Sequence, residues 1–154
     1  MHVVPDCDHL DRFEGYKAAL AEAGVSYDES IAFRHPSSLS GGGTVMEMAV
    51  RMADRPTALF CTDMNLAVGA INKAHQLGVR IPDEISVVGF DDMPLASYFD
   101  PPLTTMRQEI TLSGHEAARL LAHRLDHPES PVERRTDRPV SGAAHHACDR
   151  ASPR

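Results

Sequence analysis

One stretch limits the possible folds more than any other: Ile85-Ser86-Val87-Val88-Gly89-Phe90, which ends at two aspartates, Asp91 and Asp92. A strand with one wet face alternates apolar and polar residues. A run with little alternation suits a parallel strand covered on both faces by helices. The neighbouring segments agree. Residues 57–61 (TALFC) form a second short run of strand formers, residues 103–106 (LTTM) a third after a double proline, and residues 30–34 (SIAFR) a weaker one. Between them the period turns helical. Phe13, Tyr16, Leu20 and Ala23 lie on one face over residues 11–23, which Gly24 stops. Val45, Met48, Ala49 and Met52 do so over residues 41–53, with Ser40 as the expected cap. Val68, Ile71, Ala74 and Leu77 follow over residues 64–77, which end at Gly78. A final helix over residues 108–125 is expected to turn Ile110, Ala117, Leu121 and Leu125 inward. Strands alternating with helices at short spacing predict right-handed crossovers and a parallel, Rossmann-like α/β sheet. Ligands on such sheets sit at the carboxyl ends of the strands, so the loops after Val4, Arg34, Cys61 and Phe90 are the ones to inspect.

A chain of 154 residues can build one domain with a real core. Its net charge of -7 is not the signature of a nucleic-acid-binding surface, which is basic. No apolar run approaches the roughly 20 residues of a membrane helix. The first ten residues have neither a basic start nor an apolar stretch, so no export signal is expected. Cys7, Cys61 and Cys148 are odd in number and far apart, which fits a reducing cytoplasm.

Several chemical motifs start and do not finish. Gly114-His115-Glu116-Ala117-Ala118-Arg119 opens like a zinc-protease helix, but Arg119 stands where the second imidazole is needed. Ser40-Gly41-Gly42-Gly43 lacks the Lys-Ser/Thr of a phosphate loop; its glycines would allow close approach of backbone or ligand. His145 and His146 with Cys148 make a poor metal cage. No catalytic set, resident metal or cofactor is expected, and the chain does not read as an enzyme.

The motifs PTALF, AVGA, GVRIPDEISVVGFDD and PPLTTMRQ, followed by a G-x-x-A-x-x-LL helix, occur in that order, with DRFEGYKAALAEAGV upstream. Together they resemble the LacI/GalR family of transcriptional regulators over about residues 4–125. The resemblance implies part of a periplasmic-binding-protein-like type I fold, namely an incomplete C-terminal lobe over residues 1–125. It implies a small-molecule effector, a sugar or related metabolite, and homodimers in the intact family. DNA would be met only through an N-terminal domain that this sequence does not show, and the first strand would be reduced to about residues 1–4. Residues 126–154, rich in Pro, Arg, Ser and Ala, depart from the family pattern and are expected to be irregular, disordered or the product of a frameshift. Such a lobe is expected to be marginally stable and prone to associate.

By the same resemblance Arg12 matches the family's effector-binding arginine, whose planar fork of donors suits vicinal hydroxyls or a carboxylate. Asp91, just past the strongest strand, would accept hydroxyl hydrogen bonds; alternatively it caps the following turn, as Asp92 would. Asp63 falls where the family places Asn or Asp in the cleft, and it would equally serve as an N-cap. Arg12 itself has the alternative of a solvated residue beside Asp11. His35 and Pro36 occupy the loop that carries a stacking aromatic in many relatives; Pro36 offers only an apolar face. Val68 and Phe99 match the dimer surface, or with Tyr98 merely cover the edge of the lobe. The other reading of the whole is a fragment of a periplasmic sugar-binding protein.

Overall fold

A computed structural model describes residues 2–4, 10–91 and 93–132. The strands are β1 (His2–Val4), β2 (Ala32–Arg34), β3 (Ala58–Cys61), β4 (Ser86–Phe90) and β5 (Thr104–Met106). All are parallel in one sheet ordered β2-β1-β3-β4-β5. The helices are α1 (Leu10–Glu22), α2 (Leu39–Arg51), α3 (Met64–Gln76) and α4 (Ile110–Asp126). The expected α/β architecture is therefore present, with boundaries within about two residues of those read from the sequence.

Parallel register aligns the strand tips. Val3 pairs with both Phe33 and Cys61, Leu59 with Val87, and Gly89 with Thr105. The chain leaves β1 toward β2 on one side and returns as β3 on the other. That reversal opens a crevice at the carboxyl ends of β1 and β3, the usual place for a ligand on such a sheet.

Period-two alternation divides the sheet into two faces. Leu59, Cys61, Val87 and Gly89 are buried on the face covered by α2 and α3. Phe60 points the other way and stacks on Tyr16 of α1, with ring centroids 6.0 Å apart. Burial pushes the Cys61 thiol well above its ordinary range, so it is a core group and not a nucleophile.

The α2–α3 contact is the tightest in the lobe. A Cβ on Gly42 would lie 2.0 Å from the Leu66 carbonyl oxygen, and one on Gly69 would lie 2.0 Å from that of Leu39. Each helix thus presents a glycine to the other's backbone. The glycines of the Ser40-Gly41-Gly42-Gly43 run serve helix packing, with Val45, Met46, Ala49 and Leu66 sealed around them.

Three sequence expectations are corrected. Ser38, not Ser40, caps α2, its hydroxyl accepting from the Gly41 N–H at 3.0 Å. Met48 is exposed and Met46 buried, because the glycine contact rotates the helix toward α3. Ile110, Ala117, Leu121 and Leu125 do not point into this lobe: all are exposed, and α4 packs closely on no other described element. A helical stripe reports that a helix has an apolar face, not which surface covers it. The tail expectation falls mostly on residues 133–154, outside the described residues, as do Cys7, Asp92, His145, His146 and Cys148.

Replacing Gly42 by Ala is expected to destabilise the chain by about 3 kcal/mol, since backbone must move to admit the methyl. Gly15→Ala, with open space around its Cβ in α1, should stabilise by about 0.5–1 kcal/mol. Urea unfolding of both variants checks this. Equal stability of Gly42→Ala and the parent would contradict the close approach.

Candidate functional site

Arg12 lies in the first turn of α1, just after the tip of β1. Its guanidinium spans two neighbouring strand ends. Nη1 donates to the Thr62 carbonyl at 2.5 Å, and Nη2 lies 3.5 Å from Asp91 Oδ1. The guanidinium carbon sits 3.9 Å from the centroid of the Phe90 ring, a cation–π contact. The Arg12 side chain is 19% exposed, so it is not the solvated residue beside Asp11 that the sequence also allowed.

Asp91 ends β4 with φ +70°, a left-handed conformation that Asp tolerates better than most residues. Its N–H donates to the Met106 carbonyl of β5 at 3.1 Å, and its carbonyl accepts from the Met93 N–H at 2.9 Å. The turn that follows begins at Met93 without a side-chain cap, so capping is not what Asp91 does. Its Oδ1 instead receives two donors, Arg12 Nη2 and the Gln108 side-chain amide. Oδ2 has no partner among the described residues. Beside it lies a depression of about 210 Å³ lined by Asp91 and residues 107–111.

These choices are poor value as structure. A part-exposed ion pair as long as 3.5 Å contributes on the order of 1 kcal/mol. Left-handed backbone at a non-glycine residue costs about 1–2 kcal/mol. A positioned guanidinium and a carboxylate oxygen left over at a strand tip together suit a polar guest with several hydroxyls, which can donate to the carboxylate and accept from the fork.

Asp63 takes the capping role. Its Oδ1 accepts from the Leu66 N–H at 3.0 Å at the head of α3. Its Oδ2 is buried with no hydrogen-bond partner among the described residues, at the same edge of the sheet as Arg12. Pro36 follows β2, the outer strand, and is exposed; its carbonyl accepts from the Ser38 hydroxyl at 3.4 Å. Val68 and Phe99 are half-buried at the margin of the core, and Tyr98 beside Phe99 is 83% exposed. His115 is exposed on α4, 3.7 Å from Glu116. Among the described residues no three potential metal ligands converge, and no helix is long and apolar enough to cross a membrane.

Sequence reasoning missed Gln108, Phe90 and the Thr62 carbonyl as members of this cluster. Gln108 had a readable signal, a polar residue just past the carboxyl end of β5. The carbonyl had none, since its role comes from strand order alone.

If Asp63 caps α3, Asp63→Ala should lower stability by about 1–2 kcal/mol while Asp63→Asn stays near the parent, because Asn caps as well as Asp. Urea unfolding compares them; an equal loss in both would assign the role to the charge instead of the cap.

Comparison with known proteins places the fold. The periplasmic binding protein-like domain family matches residues 2–143. The chain is 35% identical over 127 residues to the HTH-type transcriptional repressor PurR of Vibrio atlanticus (strain LGP32), covering 80% of this chain and 38% of that protein. A LacI-family regulatory protein from Chloroflexus aggregans superposes with a TM-score of 0.78 at 26% identity, over 84% of this chain and 48% of that one. A LacI-family regulator from Enterococcus faecium with bound ribose gives 0.73 at 29% identity, over 84% and 49%. The chain thus spans little more than a third of that curated relative and about half of those solved structures.

Proposed function

Since this chain belongs to the periplasmic binding protein-like domain family, as an effector domain of LacI/GalR type, we propose that it is the sugar- or small-metabolite-sensing lobe of such a regulator. The observation that carries the reading is the meeting of Arg12 and Asp91 at the strand tips with Asp91 Oδ2 left to accept from a guest. Arg12 offers the remaining edge of its fork and Asp91 its second oxygen. Asp63 adds its buried Oδ2, and Pro36 an apolar face at the outer end of the crevice. The ribose bound to the Enterococcus faecium relative fits the same polyhydroxylated class.

The second wall of the cleft is assigned to the part of the relatives that the chain does not span. Closure of two walls around a guest would then shift the population of DNA-binding states. With one wall, binding is weak, and the described residues make no sequence-specific contact with an operator, because none of the described helices presents a basic recognition face. Val68 and Phe99, beside the exposed Tyr98, are assigned to contact with a second copy. The reading involves no catalysis and places the protein in the cytoplasm with the regulators it resembles. An exported sugar-binding protein is the weaker reading, since the matched relatives are regulators.

Titration of the isotope-labelled 154-residue chain with ribose, followed by NMR, tests this. Shifts are expected at Arg12, Thr62 and Asp91. Asp91→Gly keeps the left-handed turn but removes the acceptor. It should weaken binding about tenfold or more, the equivalent of one charge-assisted hydrogen bond of about 1.5–3 kcal/mol. Shifts gathered at the opposite edge of the sheet, or binding indifferent to Asp91→Gly, would contradict the assignment.

A further inference from the structure

We propose that Gln108 is a positioning residue that clamps the Asp91 carboxylate and couples occupancy of the cleft to helix α4. Asp91 is tied once to the end of β5, through its N–H on the Met106 carbonyl, and once to the strap after it, through Oδ1 on the Gln108 amide. With Arg12 on the same oxygen, Oδ1 is occupied twice and Oδ2 is the oxygen left for a guest. A guest that draws on Oδ2 re-aims the carboxylate about its last side-chain bond. Oδ1 moves with it, and Gln108 must follow.

What Gln108 would move is α4, which starts two residues later at Ile110. This helix is poorly held in two respects. Its N-cap residue, Glu109, makes no side-chain cap hydrogen bond. Its apolar residues Ile110, Leu121 and Leu125 are exposed, and it packs closely on no other described element. The Gln108–Asp91 bond is thus a side-chain anchor at the root of a helix otherwise little engaged with the lobe. The proposed signal from the strand tips to α4 runs through this amide and this carboxylate.

The ligand arm of this proposal rests on the effector reading above; the unliganded arm does not. In the unliganded chain, Asp91→Gly, Gln108→Leu and Gln108→Glu should each speed amide exchange over residues 113–117 about tenfold, the loss of one hydrogen bond to a charged group. Gln108→Glu is the deciding variant, because it keeps size and shape and lacks the donor. Glu that protects α4 as well as Gln would overturn the clamp, as would Asp91→Gly with unchanged exchange there. With ribose added, the parent should show shifts over residues 110–113 that Gln108→Glu loses while shifts at Arg12 and Thr62 persist. Persistence of the α4 shifts in Gln108→Glu overturns the coupling. Absence of every ribose shift in the parent counts against the effector reading for that sugar and leaves the unliganded comparison to decide the clamp.

Discussion

One guanidinium holds together the working edge of this lobe. Arg12, carried by the helix after β1, bonds the carbonyl that ends β3 and pairs with the carboxylate that ends β4 while lying on the Phe90 ring. Arg12, Thr62 and the adjacent pair Phe90 and Asp91 lie far apart in sequence. They meet because all the strands run parallel and because the strand order reverses at β1 and β3, which opens the crevice that the arginine fills. In an antiparallel arrangement the same residues would be divided between opposite ends of the sheet.

The opposite requirement, rigidity, is met away from that edge. The reciprocal contacts of Gly42 and Gly69 bring α2 and α3 close enough to pack backbone against backbone, and they bury Met46, Leu66 and the inner faces of β3 and β4. A side chain at either glycine would separate the helices and loosen the strands whose tips carry Thr62 and Asp91. The lobe therefore has a dense face that fixes the strands and a polar edge that uses their fixed positions. Helix α4 belongs to neither, and its apolar residues Ile110, Leu121 and Leu125 are covered by none of the described elements.

How much of this is legible in the sequence follows from which forces act locally. The β4 run, the helical periods of α1 and α3 and the glycine stops are local signals, and they place the elements correctly; Gly24 and Gly78 do adopt positive φ. Asp91 and Arg12 could be singled out because one follows the strongest strand and the other matches a family position. Tertiary packing is what the sequence hides. Ser40 reads as the cap of α2 in the sequence, yet the helix begins at Leu39 and Ser38 caps it. Met46 and Met48 exchange fates through the α2–α3 contact. The inward direction expected for Leu121 and Leu125 assumed a covering surface that no residue pattern within α4 can supply. Gln108 escaped notice because its importance lies in the oxygen it meets, 17 residues away.

A crystal structure of the chain grown with ribose tests the central claim most directly. The account predicts ribose hydroxyls within hydrogen-bond distance of Asp91 Oδ2 and of the Arg12 guanidinium, with the Thr62 carbonyl still accepting from Arg12. A sugar seated elsewhere, with the guanidinium and the carboxylate parted at different ends of the sheet, would contradict it.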